Sequence, residues 1–315
     1  MTEGPLAALA KDWRAGLAAG RARALGYPRD GGLWLGAFAL ACLATGSGLF
    51  ACCGYHGGFL AANATAHQLP DGLWQTLTVL GDERLAFALS LFIARRHPQI
   101  FWSLIVAALL ASAYTHGLKP LFEAARPPAV LAADDFHLIG RRLRHNAFPS
   151  GHSVTAAVLY GTLVYYIRSW RWRLVLLVIA LAAGLSRIAV GVHWPVDVAA
   201  GLSGGALAAW IGARLSRTRT LNWGVQDVSI HLAMVTLAGI MAVALLLWDG
   251  GYPAAAWLQY LIGLTSLGYA LAAYLLWPLA RWGRRALGRD GGYAGKTGTG
   301  PQTDSMVVLG RVVPR

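Results

Sequence analysis

Long apolar runs alternate with short polar segments along almost the whole chain. A helix that crosses the hydrocarbon core of a bilayer needs about 20 mostly apolar residues. The run from 74 to 94 is interrupted by Gly-Asp-Glu-Arg, so an interfacial helix from residue 71 followed by a shorter span is an alternative there. Eight stretches predict spanning helices: 34–54, 74–94, 100–118, 153–168, 173–192, 196–214, 228–248 and 254–278. This count includes the interrupted run 74–94 and the short fourth stretch 153–168.

These spans predict an all-α fold, a polytopic membrane bundle of helices. Residues 1–33 carry five basic residues and no apolar stretch, so we expect a cytoplasmic tail rather than a cleavable signal peptide. Within this tail, residues 5–26 have the character of an amphipathic surface helix. From Gly283 onward the chain is rich in Gly, Arg and Thr, and this composition predicts a largely disordered end.

Composition agrees with a membrane protein and argues against a nucleic-acid partner. Hydrophobic residues make up 56% of the 315 residues and charged residues only 13%, against roughly 25% in an ordinary soluble domain. The formal net charge is +13, but the basic residues punctuate apolar runs instead of gathering on one soluble surface. Cys42, Cys52 and Cys53 fall in or next to the first apolar run without metal-ligand spacing, so we expect small apolar residues in lipid.

The distribution of lysine and arginine predicts the orientation in the membrane. With a cytoplasmic N-terminus, 20 of the 27 basic residues fall in segments on the inner side. Five lie in one outer loop between Lys119 and Arg144, and Arg84 and Arg187 lie within or at the edge of spans. Basic residues are enriched in cytoplasmic loops, so both termini are predicted to be cytoplasmic.

The outer loop 119–149 is the exception to this bias, and it opens with KPLFEAARP. Lys119 and Arg126 are seven residues apart, which on a helix is two turns, so both would lie on one face. The prolines of this stretch could bend or end such a helix. Two cations on one face are suited to a dianion such as phosphate, although lipid headgroups would attract interfacial charges as well.

The next motif is NAFPSGHSVTAA, at the start of the fourth predicted span. Ser150, Gly151 and His152 would form the first turn of that helix. Free backbone N–H groups at a helix start bind anions, and glycine lets a ligand approach closely. His152 could then donate a proton to a leaving oxygen; the alternative is a serine N-cap followed by a histidine with no chemical role.

The last motif is SRIAVGVHWPVD, between the fifth and sixth spans. Asp197 follows His193 by four residues, and a carboxylate one turn from an imidazole can fix its tautomer and leave the other nitrogen free as a nucleophile. An arginine inside a span is costly in lipid, so Arg187 should face a polar cavity. All three motifs fall on the same predicted side of the membrane and therefore describe one polar pocket.

Together these motifs resemble the three-part pattern of the type 2 phosphatidic acid phosphatase (PAP2) superfamily, in its bacterial membrane lipid phosphatase branch. The resemblance covers about residues 60–215, and every defining position is present: Lys119-x6-Arg126-Pro127, Pro149-Ser150-Gly151-His152 and Ser186-Arg187-x5-His193-x3-Asp197. It implies a six-helix core that carries metal-independent phosphatase or phosphotransferase chemistry, without a cofactor. The bundle would then lie in a bacterial inner membrane with its site facing the periplasm.

The resemblance also implies a role for each motif residue. His193 would be the nucleophile that forms a phosphohistidine, Asp197 would support it, and His152 would protonate the leaving group. The phosphate oxygens would be held by Lys119, Arg126, Ser150, Gly151 and Arg187. We expect the chain to divide into a cytoplasmic tail (1–33), a PAP2-like catalytic core (34–215), an additional helix pair (216–280) and a cytoplasmic, disordered tail (281–315); the resemblance says nothing about the last two.

Three further arginines, Arg141, Arg142 and Arg144, lie in the outer loop beyond those that the pattern needs. They are suited to a second phosphate or an anionic headgroup, or they contact anionic lipid of the outer leaflet. The first interpretation favours a polyprenyl pyrophosphate, such as undecaprenyl pyrophosphate, as substrate.

Other activities stay open at this stage. A lipid A phosphatase, a phosphatidic-acid or phosphatidylglycerol-phosphate phosphatase and a lipid-to-lipid phosphotransferase use the same residues. A lipid or anion transporter would not need the intact set, and vanadate-dependent haloperoxidases, which share the motifs, are soluble. The expected partners are a lipid phosphate substrate and membrane lipids.

Overall fold

The computed structural model describes residues 4–28, 30–218, 220–248 and 250–286, and within these ranges the regular structure is entirely helical. The predicted all-α membrane bundle is therefore confirmed. In chain order the helices are α1 (Pro5–Ala24), α2 (Gly31–Cys53), α3 (Phe59–Ala66), α4 (Asp71–Val79), α5 (Glu83–Ala94), α6 (Pro98–Phe122), α7 (Pro127–Val130), α8 (Gly151–Tyr166), α9 (Trp170–Ala189), α10 (Pro195–Leu215), α11 (Trp223–Gln226), α12 (Val228–Leu247), α13 (Ala256–Leu271) and α14 (Trp277–Ala286). A 3₁₀ turn (Pro253–Ala255) precedes α13, and a π-helical turn (Ala272–Leu276) joins α13 to α14.

Six helical segments of the described chain are long and apolar enough to cross a membrane, so the protein is a multi-pass membrane protein. They are Gly31–Cys53, Pro98–Val130, Trp170–Ala189, Pro195–Leu215, Val228–Leu247 and Pro253–Ala286. The remaining two of the eight predicted spans correspond to shorter helices. The second is divided into α4 and α5, which supports the alternative of an interfacial helix from residue 71, and the fourth is the 16-residue α8.

The break between α4 and α5 has a local cause. Asp82 caps α5, because its side chain accepts a hydrogen bond from the backbone N–H of Arg84 at 2.8 Å. Gly81 lies directly against the start of α8, where a Cβ would come within 2.8 Å of the carbonyl oxygen of His152. The break therefore brings the α4–α5 corner onto the second motif.

Helix α8 is the centre of the bundle and packs against α10, α9, α6 and α2. Most of its residues are buried, with tight approach to α10 at Gly205, where a Cβ would lie 2.4 Å from the carbonyl oxygen of Val154. Protein rather than lipid surrounds this helix. It therefore does not need the roughly 20 apolar residues of a lipid-exposed span.

The two C-terminal spans pack on α5 and on each other. Apolar residues of all three helices share one buried cluster, which includes Leu85, Ala88, Leu91, Ala238, Ala242, Leu245 and Ala273. The additional pair thus completes the packing of the short helix α5, which would otherwise expose its apolar side to lipid on that flank.

The N-terminal segment forms the helix predicted over 5–26, with bounds Pro5–Ala24, and it packs against α6, α11 and α14. Trp13 donates to the carbonyl of Tyr274 at 2.9 Å, and Asp12 forms ion pairs with Arg95 and Arg281. Helix α14 continues to Ala286, so the prediction of a disordered tail from residue 281 is wrong for residues 281–286. The rest of that predicted tail, together with Arg29 and Arg219, lies outside the described residues.

Candidate active site

The three motifs meet at one end of the bundle, around the turn between α9 and α10. His193 follows this turn and its side chain is only 2% exposed. Its Nδ1 lies 3.3 Å from Oδ2 of Asp197, and its Nε2 lies 3.1 Å from a guanidinium nitrogen of Arg126. Arginine can only donate hydrogen bonds and a carboxylate only accepts them. The proton of a neutral His193 therefore belongs on Nδ1, and Nε2 carries the lone pair.

Arg126 reaches His193 from a loop and not from the helix that carries Lys119. Helix α6 ends at Phe122, so the prediction that both cations lie on one helical face is wrong. The guanidinium of Arg126 donates instead to the carbonyls of His145 and Asn146, at 2.7 and 3.2 Å. The prolines that the sequence placed in this stretch agree with an early helix end, since they cannot continue the hydrogen-bond ladder.

Asp197 is fully buried and accepts three hydrogen bonds. The backbone N–H of Trp194 donates to Oδ2 at 2.9 Å, alongside the Nδ1 of His193. The hydroxyl of Tyr55, from the turn after α2, donates to Oδ1. The sequence analysis did not find Tyr55, because 142 residues separate it from Asp197 and no local spacing links the two.

The start of α8 lies next to this pair, as the second motif predicts. The backbone N–H of Ser150 donates to the carbonyl oxygen of Asp197 at 3.1 Å, and Lys119 Nζ lies 3.9 Å from the position of a Cβ on Gly151. Ser150 does cap the helix, since its Oγ accepts from the N–H and the hydroxyl of Ser153, at 3.4 and 2.8 Å. Both bonds leave the hydroxyl proton of Ser150 available to donate to a ligand. His152 is half-buried on the first turn.

Arg187 is buried beside the site at the end of α9, in protein rather than lipid, as predicted for an arginine within a span. One of its terminal nitrogens donates to Thr78 Oγ1 at 2.6 Å and to the hydroxyl of Tyr252 at 3.0 Å. Within the described part of the chain its buried Nε has no hydrogen-bond partner. Buried donors are nearly always paired, so this nitrogen is suited to receive an anion. Thr78 and Tyr252 are further residues that the sequence analysis did not find.

The three extra arginines lie in the outer loop that precedes the second motif. All are exposed, and the guanidinium of Arg141 lies over the ring of Trp248, 5.5 Å from its centroid. The backbone of Arg144 contacts the site, where its carbonyl accepts from the N–H of Arg126 at 2.9 Å. A pocket of about 470 Å³ opens between these segments and is lined by His116, Lys119, Pro120, Glu123, His145 and Asn146.

The electrostatics of the site keep His193 neutral. Burial lowers the pKa of His193 well below its usual value, and the nearby positive charges of Arg126 and Arg187 lower it further. An imidazole must be unprotonated to act as a nucleophile. The free site therefore holds His193 in the form that could attack phosphorus.

One group of possible metal ligands lies outside this site. The motifs predict chemistry without a metal, but the fold brings together His67, Asp71 and His137, whose ligand atoms all lie within 4.8 Å of one another. Sixty-six residues separate Asp71 from His137, so no local spacing indicates the group.

The described site can be compared with known proteins. Residues 100–221 match the family model of the PAP2 superfamily. A lipid A 1-phosphatase from Rhizobium johnstonii is 30% identical over 127 residues, which are 38% of this chain and 47% of that protein. An undecaprenyl-diphosphatase from Sulfolobus acidocaldarius is 26% identical over 150 residues, which are 47% of this chain and 71% of that protein. The solved crystal structure of Aquifex aeolicus LpxE is 28% identical, covering 50% of this chain and 92% of that chain with a TM-score of 0.46.

Fold and site together define a multi-pass membrane protein with a buried histidine–aspartate pair beside several cations. The region that matches the PAP2 superfamily model contains every motif position from Lys119 to Asp197. The resemblance is therefore confirmed, with a match that begins at residue 100 rather than near residue 60. The chain spans about half the length of the lipid A 1-phosphatase it matches.

Proposed function

We propose that this protein is an integral-membrane phosphatase that releases phosphate from a lipid phosphate through a phosphohistidine. The observation that carries the proposal is the position of His193 between Asp197 and Arg126, with its Nε2 lone pair directed at a buried cation. A phosphate that enters the site would take Arg126 as a partner for its oxygens. When Arg126 binds the phosphate oxygens instead of His193, the Nε2 of His193 is free to attack phosphorus.

The proposed reaction has two steps. The lone pair of Nε2 forms a bond to phosphorus while the bond to the lipid oxygen breaks, and His152 gives that oxygen a proton. Water then attacks the phosphohistidine, loses a proton to the base form of His152, and releases inorganic phosphate and free His193. Phosphoryl transfer depends mostly on positioning and charge stabilisation, which we assign to Lys119, Arg187 and the N–H groups at the start of α8.

The activity is tested with purified protein in detergent micelles and a panel of lipid phosphates. We expect phosphate release by the unmodified protein that persists in EDTA, since side-chain cations hold the phosphate in this proposal. His193→Ala should abolish release without changing the melting temperature by more than a few degrees. Full turnover by a folded His193→Ala variant would contradict the phosphohistidine, whereas no phosphate release by the unmodified protein would favour the transporter alternative.

For the substrate we propose a polyprenyl pyrophosphate. The relative described as an undecaprenyl-diphosphatase supports this choice, and so do the exposed guanidinium groups of Arg141, Arg142 and Arg144 in the outer loop. Each charge-assisted bond to a second phosphate would contribute roughly 1.5–3 kcal/mol, which is about one to two decades of affinity. Replacing all three with Gln should raise KM for the pyrophosphate and leave a lipid monophosphate unaffected. If the triple substitution raises KM equally for both substrates, the loop is a membrane contact only.

A lipid A phosphate is the second candidate substrate, because one relative is described as a lipid A 1-phosphatase. Side-by-side kcat/KM values for a polyprenyl pyrophosphate, a lipid A phosphate and phosphatidic acid decide between them. If a monophosphate is the better substrate of the unmodified protein, the pyrophosphate assignment is wrong.

We also propose the location. The bias of basic residues supports a bacterial inner membrane protein with both termini in the cytoplasm and the site facing the periplasm. A reporter fused after Arg315 should read cytoplasmic, and one inserted in the loop 129–140 should read periplasmic. If both reporters are on the same side, this orientation of the site is wrong.

A further inference from the structure

We propose that His67, Asp71 and His137 form a binding site for a divalent transition metal of the zinc class, separate from the catalytic pocket. His137 Nε2 lies 2.9 Å from Oδ1 of Asp71, and the rings of the two histidines lie 3.8 Å apart between centroids. Two imidazoles and one carboxylate are ligands that Zn²⁺ favours, whereas Mg²⁺ favours oxygen. Three protein ligands leave a fourth position for water.

The distances within the group suit a small ion after a modest side-chain movement. Zinc bonds of about 2.0–2.2 Å in a tetrahedron put neighbouring ligand atoms roughly 3.3 Å apart. The three ligand atoms are already within 4.8 Å of one another. His67 is exposed at the end of α3, so its ring has room to turn. The metal would replace the direct contact between His137 Nε2 and Asp71 Oδ1.

The backbone around the three ligands is held in place by neighbouring residues. Asn63 is 2% exposed, accepts from the backbone N–H of His137 at 2.8 Å, and donates to its carbonyl at 3.0 Å. Trp74 donates to the carbonyl of Ala66 at 2.8 Å, which fixes the end of α3 against α4 and so sets His67 relative to Asp71. Metal ligands are usually oriented by such outer partners.

The proposed metal would join the outer loop to α3 and α4, and this loop also packs against the turn before His193. Asn63 also donates to the carbonyls of Ile188 and Ala189, both at 3.1 Å. The carbonyl of His137 faces Gly191, where a Cβ would lie 2.6 Å away, so this position excludes a side chain. The same loop therefore holds a metal ligand on one side and the catalytic turn on the other. We assign the metal a stabilising role and no part in the chemical step.

The test uses full-length protein without a polyhistidine tag, purified in detergent, stripped with EDTA and exchanged into metal-free buffer. Calorimetric titration with Zn²⁺ should show saturable binding of one ion per chain, and Mg²⁺ at the same concentration should not replace it. The melting temperature should rise with Zn²⁺, because an ion that binds only the folded state stabilises it. Activity well below the melting temperature should persist in EDTA.

Single substitutions identify the ligands. His67→Ala and Asp71→Asn should each weaken Zn²⁺ binding by more than the roughly 10–100-fold that loss of an outer-shell partner costs, and should remove the Zn²⁺-dependent rise in melting temperature. His116→Ala is the matched control, because this exposed histidine hydrogen-bonds to its own helix at Ser112. It should bind Zn²⁺ like the unmodified protein.

Two outcomes would overturn the proposal: no saturable Zn²⁺ binding by the unmodified protein, or His67→Ala binding as tightly as the unmodified protein. The exposed position of His67 keeps this variant informative even if Asp71→Asn fails to fold. Neither outcome depends on phosphatase activity, so a failure here is distinguishable from a failure of the proposed function.

Discussion

Replacing Tyr55 with phenylalanine tests whether the buried hydrogen bonds of Asp197 set the reactivity of His193. The change removes one hydroxyl and leaves the ring packed against His56 and Trp194. Hydrogen bonds to charged groups contribute about 1.5–3 kcal/mol, and each 1.36 kcal/mol of barrier is tenfold in rate. We therefore expect kcat to fall by about ten- to a hundredfold.

The structure also sets an upper limit on this loss. Asp197 keeps the N–H of Trp194 at 2.9 Å and the Nδ1 of His193 at 3.3 Å, so the imidazole stays in its tautomer. Loss of the orienting aspartate in a serine protease triad costs about 10⁴ in kcat, and Tyr55→Phe should stay well below that value. KM should change little, because Tyr55 acts through Asp197 and is a positioning residue.

The assay is phosphate release from a lipid phosphate in detergent micelles, with kcat and KM measured separately and the melting temperature recorded. Tyr114→Phe is the matched control, because it removes a hydroxyl that donates to a neutral carbonyl of α10, that of Ala200, at 3.1 Å. It should leave kcat within about a factor of three. A Tyr55→Phe variant with unchanged kcat would refute the reasoning, and so would equal losses in both variants.

Three other predictions follow from the site. Because burial and neighbouring charges lower the pKa of His193, protonation should abolish kcat/KM only well below pH 6.5, and an acidic limb at pH 6.5 in a pH–rate profile would contradict this. His152→Ala should slow lipid phosphates by about 10²–10⁴, the usual contribution of a general acid, and activated aryl phosphates much less; equal losses would argue against an acid role. Tyr252→Phe should lower kcat/KM about tenfold, since Arg187 loses one of its hydrogen-bond partners, whereas exposed Tyr260→Phe should have no effect.

Parts of the site that depend on short sequence separation were predictable. His193 and Asp197 are four residues apart, and the turn at the start of α10 brings their side chains together as the spacing predicts. Ser150 and Gly151 begin α8, as the proline and glycine around them indicate. A helix start and an i to i+4 pair are set by a few neighbouring residues, so both can be predicted from the local sequence.

Parts that depend on where helices end were predicted less well. Lys119 and Arg126 have the spacing of one helical face, yet α6 stops between them and the loop returns Arg126 to the site through the carbonyls of His145 and Asn146. Helix α8 is shorter than a lipid-exposed span, with 16 residues, as the short fourth stretch of the sequence predicts. A buried helix is covered by protein, so its length follows the packing of its neighbours rather than the thickness of a bilayer.

The sequence alone determined that this chain crosses a membrane as helices and that it carries the histidine, aspartate and arginine positions of the three motifs, because apolar length and local spacing are properties of neighbouring residues. Only the tertiary structure decided which distant side chains complete the set. Tyr55 reaches Asp197, Tyr252 reaches Arg187, and His137 reaches Asp71 across 142, 65 and 66 residues. Such contacts depend on how whole helices pack, and no periodicity along the chain records that packing.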